Sequence, residues 1–325
     1  MAILTNLTRE ELELASTAFA IDLVRATGVP AGSVNTSFTL EARDGSRWFL
    51  RLYEEQDLGG ARVEAALLGF LAGRGVPTPE PRRAMDGTSV IELRGKPCAV
   101  FPYVEGRHRC QASVTNDDAR RVGEALARVH LAGRELPAEL VRPNRFSLAA
   151  IAGRLDSLET LAAPLSRPVL DARSRLRAAL DELESWAPTG DRLPLVHGDL
   201  FRDNVLFAED GASTLLDFES SSDGLASYDL SVTMLAWCFG DRFEHDLARS
   251  MALGYKSVRS LTIAEVEDLY TTARVACVRF ATTRITDFEL RPRGVGTFKD
   301  YRRWLARLDA VEALGPRGWT AIVLA

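Results

Sequence analysis

The stretch Leu195–Glu219, LVHGDLFRDNVLFAEDGASTLLDFE, constrains this chain more than any other. It is a β-rich island in a sequence that reads as mainly helical from Thr115 onward. Val205-Leu206-Phe207 and Thr214-Leu215-Leu216 are strand runs around a turn containing Asp210-Gly211, so they predict a β-hairpin. Asn204 precedes the first strand and Asp217 follows the second. Antiparallel pairing would bring both side chains to the same open end, where an amide oxygen and a carboxylate can share a divalent cation. Asp199, five residues before Asn204 and two after His197, falls in the loop just ahead of that end. His-Gly-Asp alone is a common turn and Asp-Phe alone is uninformative. The joint pattern of His, Asp, spacing, Asn, hairpin and Asp carries the information.

The flanking sequence supplies two bodies to hold this island. Thr8 and Glu11 form a capping box for a helix running to about Ile21. Asn35–Leu40 and Trp48–Tyr53 flank Asp44-Gly45 as a second hairpin, and a helix follows over Gly60–Ala72. Two strand-like runs, Thr88–Leu93 and Cys98–Phe101, surround Arg94-Gly95-Lys96-Pro97. Beyond them Ala119, Val122, Leu126 and Val129 recur with helical spacing, and His130 falls on the same stripe as a packing residue. A further helix is predicted over Pro168–Trp186, with more after Tyr228. The pattern predicts an α+β chain with a small β-rich lobe over 1–103 and a larger helical lobe over 104–325, joined near Phe101-Pro102-Tyr103. At 325 residues the chain is long enough for both.

Several functions are disfavoured from the start. Forty basic against forty-five acidic residues, with no block of like charge, argue against nucleic acid. No apolar run is long enough to span a bilayer and the N-terminus lacks a leader's apolar stretch, so a cytoplasmic protein is expected. Cys98, Cys110, Cys238 and Cys277 show no C-x-x-C spacing, which predicts reduced thiols and no zinc. Trp237 and Cys238 lie in an apolar helical run and read as core.

Hard oxygen ligands beside a separate carboxylate are what phosphoryl transfer requires. The ligands hold Mg²⁺ on ATP phosphates, and the carboxylate orients and deprotonates an acceptor hydroxyl. The protein kinase catalytic loop has the same Asp-to-Asn spacing and a downstream Asp-Phe-Gly, here Asp217-Phe218-Glu219. On these residues the chain resembles the aminoglycoside phosphotransferase and choline kinase superfamily, and within it the homoserine kinases of threonine biosynthesis. The latter resemblance rests on SVNTSFTLEARDGSRWFLRLY, GVPTP, VGEALARVHLAG, RPNRFSL, HGDLFRDNVLF, YDLSVTMLAWCF and ACVRFATTRI, which span nearly the whole chain.

The resemblance implies a protein-kinase-like two-lobe fold and an ATP- and Mg²⁺-dependent kinase acting on a small-molecule alcohol, homoserine being favoured. It makes Asp199 the catalytic base, His197 the brace of its loop, and Asn204 and Asp217 the magnesium ligands. Asn35, Thr36 and Ser37, with Ser33 and Val34, would touch phosphate at the turn of the N-terminal hairpin, which would cover the phosphates. Phe101 and Tyr103 would offer backbone groups to adenine, and Glu64 would orient the phosphate-binding cation. The usual lysine is missing, since Lys96, Lys256 and Lys299 are the only three in the chain, so Arg51 stands in for it. Gly198 and Glu219 also depart from the family, which commonly has alanine and an aromatic or apolar residue there. For the acceptor, Glu219, Asp223, Tyr228 and Asp229 offer groups for an ammonium, and Arg279 or Arg284 for a carboxylate. In this superfamily Asp229 often ties down the catalytic loop instead. The alternatives are a kinase for another amino alcohol or an aminoglycoside, and a nucleotide-binding pseudokinase.

Overall fold

Thr8 caps the first helix as its sequence requires, its hydroxyl accepting from Glu11 N while the Glu11 carboxylate accepts from Thr8 N. The computed structural model describes residues 5–30, 35–160, 164–290 and 299–325, so Ser33 and Val34 lie outside the described residues. In chain order the elements are α1 (Arg9–Ala18), β1 (Leu23–Gly28), β2 (Thr36–Ala42), β3 (Arg47–Leu52), α2 (Leu58–Ala72), β4 (Ile91–Leu93) and β5 (Lys96–Pro102). They continue with α3 (Asn116–Gly133), α4 (Leu148–Ser157), α5 (Arg167–Leu183), β6 (Arg192–Val196), β7 (Val205–Phe207), β8 (Ser213–Leu215) and β9 (Ser222–Leu225). Then follow α6 (Ala226–Trp237), α7 (His245–Val258), α8 (Ile263–Arg284) and α9 (Arg302–Leu324). β7 and β8 form a two-stranded sheet around a turn in which Gly211 takes φ +81°, as the Asp-Gly dipeptide predicts.

The chain divides into two compact units, Met1–Gly106 with Thr214–Glu219, and Arg107–Ser213 with Ser220–Ala325. The first holds an antiparallel sheet in the order β1-β2-β3-β5-β4. Alternate residues Phe38, Leu40, Leu50, Leu52, Cys98 and Val100 share one core with Leu12 and Ala15 of α1 and with Phe19 at its C-terminal cap. β1 is absent from the sequence reading because it is an edge strand with mostly exposed or half-buried side chains, so its apolar signal is weak.

The second unit is built on α6, in which every residue but Tyr228 is buried. α3 lies against α7 at backbone contact distance: a Cβ on Gly123 would stand 2.1 Å from Met251 O, and one on Gly254 would stand 2.0 Å from Arg120 O. β6 pairs with β9, a strand missed in the sequence because Ser222-Asp223-Gly224-Leu225 has little strand character. α4 was also missed, being a short helix capped by Ser147. No helix among the described residues is long and apolar enough to cross a membrane.

Candidate active site

In the second unit the polar loop after β6 hangs from one buried side chain. Asp229, in the first turn of α6 and 0% exposed, accepts from His197 N at 2.6 Å, Gly198 N at 2.8 Å and His130 Nε2 at 3.0 Å. Burial alone would push its carboxyl upward, yet the hydrogen bond from His130, neighbouring His197 and the Gly198 N–H hold it below the usual value. Gly198 sits at φ +74°, a left-handed conformation that favours glycine, and a Cβ there would meet Ser220 O at 3.0 Å. That geometry suits glycine at this position.

His130 is therefore more than packing. Arg259 can only donate, and its Nη1 lies 2.8 Å from Tyr255 Oη. The Tyr255 hydroxyl proton is thus left for His130 Nδ1 at 2.6 Å, and Nε2–H faces Asp229. Arg259 is paired in turn with Glu265, whose carboxylate closes the capping box of α8 with Thr262. A buried chain of partners from α8 through α7 and α3 thus ends at the backbone of the His-Gly-Asp loop. Neither Tyr255 nor Arg259 stands out in the sequence. It did place His130 on the α3 stripe.

The five-residue spacing from Asp199 to Asn204 has a local cause. Asp199 O accepts from Phe201 N at 2.8 Å and from Asn204 Nδ2 at 2.8 Å, so the loop folds back on its own aspartate carbonyl. With Nδ2 so engaged, Oδ1 is the Asn204 atom that can ligate a cation. Trp237, buried as expected, adds an Nε1 hydrogen bond to Leu200 O at 3.0 Å.

A cavity of about 580 Å³ opens beside Gly198, lined among others by Asn144, Phe146, Arg192, Asp223, Tyr228 and Arg279. Arg279 is 4% exposed. Its Nη1 donates to Gly198 O at 2.9 Å, and its guanidinium carbon lies 3.9 Å and 3.8 Å from the ring centroids of Phe146 and Phe280. Tyr228 is pushed up by burial and drawn back by the adjacent Arg279 charge. Asp223 is less available than its position suggests, since Arg192 binds its Oδ2 through Nε at 2.8 Å and Nη2 at 2.6 Å, and Asn144 N donates to Oδ1 at 2.7 Å. Arg284 does not line the cavity. It donates to Asp300 O at 2.9 Å, and burial together with neighbouring Arg303 brings it down to about 10.

The first unit gathers most of the other candidates. Arg51 Nη1 on β3 lies 3.2 Å from Oε1 of Glu64, a fully buried carboxylate on α2 that also accepts from Gln56 Nε2 at 3.0 Å. Burial works against the Arg51 charge, but Tyr53, Glu64, Asp217 and Glu219 together raise it above its ordinary value. Glu219, expected near the acceptor, belongs instead to this unit, 3.8 Å from Arg51 and 2.6 Å from Asn35 Nδ2. Burial, then Asp217, push its carboxyl up to about 7. Asp217 holds a left-handed φ of +61°. Thr36 and Ser37 lie inside β2 rather than at its turn, both buried, with the Thr36 hydroxyl donating to Glu54 at 2.6 Å. The backbone pairing of β2 with β3 begins at Thr36, which draws both residues into the sheet. Phe101 is in β5, and Tyr103 N donates to Arg47 O at 3.1 Å.

Among the described residues no three His, Cys, Asp or Glu side chains converge as a metal site. An asparagine oxygen and an aspartate suit a hard cation that draws its remaining ligands from phosphate and water, so these residue types fit Mg²⁺. A family model, the phosphotransferase enzyme family, matches residues 25–261. The chain belongs to the phosphotransferase enzyme family. A homoserine kinase of Bradyrhizobium sp. (strain ORS 278) is 35% identical over 304 residues, covering 90% of each chain. One from Gluconobacter oxydans is 36% identical over 325 residues, covering 95% of this chain and 97% of the relative. The fold is shared with the solved structure of an amicoumacin kinase in complex with AMP-PNP and Ca²⁺, with a TM-score of 0.67, 16% identity and coverage of 95% of this chain and 94% of that one. As a phosphotransferase of this family the chain is an ATP-dependent kinase with the α+β, protein-kinase-like architecture its sequence predicts.

Proposed function

We propose that the chain phosphorylates the side-chain hydroxyl of L-homoserine, with MgATP as donor. The observation that carries this reading is the His197–Asn204 loop, locked onto Asp229 and onto its own Asp199 carbonyl, in a chain about 35% identical to named homoserine kinases. Asp199 would accept the acceptor's hydroxyl proton as the oxygen attacks the γ-phosphorus. The N–H bonds of His197 and Gly198 to Asp229 would hold the following Asp199 in place, which supports a positioning role for this part of the loop. Asn204 and Asp217 would each supply an oxygen to Mg²⁺, which when bound neutralises charge on the transferred group. The first unit would cover the nucleotide, with Phe101 and Tyr103 beside adenine and Asn35 near the phosphates. Arg51, oriented by Glu64, would hold phosphate oxygens with the planar fork that lysine lacks. Arg279 would hold the acceptor's carboxylate.

A coupled ADP-release assay with MgATP tests this against L-homoserine, choline, ethanolamine, L-threonine and kanamycin. Turnover is expected on homoserine. Asp199→Ala should lower kcat by about 10²–10⁴-fold while leaving KM for ATP nearly unchanged. A variant that turns over at the wild-type rate overturns the assignment of Asp199, and activity confined to another acceptor overturns homoserine.

A further inference from the structure

The residues lining the cavity beside Gly198 carry two cations and a single acid, among the described residues: Arg192, Arg279 and Asp223. Their pairing is unequal. Arg192 and Asp223 satisfy one another through two hydrogen bonds, and Asn144 N takes a further Asp223 oxygen. Arg279 has no acidic partner among the described residues. Its charge rests on two aromatic faces and one backbone carbonyl, and its Nε is buried without a hydrogen-bond partner. A buried guanidinium left in this state is costly unless a ligand completes it. The planar Nε edge of arginine matches a carboxylate. Among the described residues the same cavity offers an ammonium no carboxylate that is not already engaged by a cation.

Resting on the homoserine reading, we infer that the acceptor site recognises its substrate by the carboxylate and leaves the ammonium unread. The substrate class is then short hydroxy acids, and 4-hydroxybutyrate is a further substrate. The spacing supports a short acceptor. Arg279 is bonded to the carbonyl of the residue immediately before Asp199, and adjacent Cα atoms are about 3.8 Å apart. A carboxylate on Arg279 would therefore lie beside the residue next to Asp199, which suits a short acceptor. In the added reaction the hydroxyl oxygen of 4-hydroxybutyrate bonds to the γ-phosphorus and the bond to the β,γ-bridging oxygen breaks. ADP leaves, and the hydroxyl proton passes to Asp199.

The test compares kcat/KM of the wild-type enzyme on L-homoserine, 4-hydroxybutyrate, which lacks the ammonium, and 3-aminopropan-1-ol, which lacks the carboxylate. 4-Hydroxybutyrate is expected within about tenfold of homoserine, and 3-aminopropan-1-ol at least about 100-fold below it, the worth of a charge-assisted bidentate contact. Arg279→Gln should raise KM for homoserine and 4-hydroxybutyrate alike, with Arg279→Lys partly restoring both and KM for ATP unmoved. Homoserine turnover with 4-hydroxybutyrate no better than 3-aminopropan-1-ol overturns this inference alone. Failure of the wild type on homoserine with activity on choline or kanamycin overturns the underlying reading and this inference with it. The wild-type comparison stands even where the variants do not fold.

Discussion

Asp229 concentrates three donors on one buried carboxylate, so its loss should be felt in both stability and rate. Asp229→Asn is expected to cost about 3–5 kcal/mol, because His130 and two loop N–H groups lose an anionic acceptor. The folded carboxyl releases its proton more readily than the unfolded one, so its stabilisation is complete above about pH 4, the unfolded value, and disappears as pH falls through the lower folded value. Urea unfolding from pH 7 to pH 3 checks this: the gap between wild type and variant should be constant near neutrality and narrow only below about pH 4. At this scale the sequence was legible where partners are close along the chain. Asp199 and Asn204 are tied through a contact five residues long, and a strand arginine facing a helix acid is a pairing that residue types suggest. It was opaque where a distant partner decides availability. Asp223 looked like a free acid until Arg192, 31 residues away, proved to hold it, and nothing near Glu219 announced that it would turn toward Arg51.

Elements obey the same logic. α3 was readable from its apolar stripe, whereas β1 and β9 were not, because a short edge strand with polar alternate positions leaves little hydrophobic signal. The seating of α7 on α3 was also hidden, since Gly123 and Gly254 acquire meaning only when the two backbones meet. That contact brings Tyr255 to His130, and so connects helix packing to the catalytic loop. Gly254→Ala is expected to destabilise by more than about 3 kcal/mol and to lower kcat in whatever fraction folds, because helix α7 must move outward. Gly153→Ala, on α4 with nothing within 4 Å of its added Cβ, should instead stabilise by about 0.5–1 kcal/mol. Differential scanning calorimetry of the two variants separates steric contact from helix propensity, and a destabilised Gly153→Ala would contradict the assignment.

For the whole molecule, two units were foreseeable from the change of texture near Phe101, but the return of Thr214–Glu219 to the first unit was not. A boundary read along the sequence assumes that each body is one continuous segment. Here the first body takes Leu215, whose N–H bonds to Pro77 O at 2.6 Å, and Asp217, whose charge helps hold Arg51 protonated. A fragment ending at Gly106 should therefore be cleaved faster in native-state proteolysis than the same region within the full chain. Equal protection would show that the returning segment adds nothing. The discontinuity also has a consequence during synthesis. A ribosome adding about 5–20 residues per second needs roughly 5–20 s to travel from Gly106 to Thr214. Throughout that interval the first unit waits without its last six residues, which gives a chaperone a window on it before it is complete.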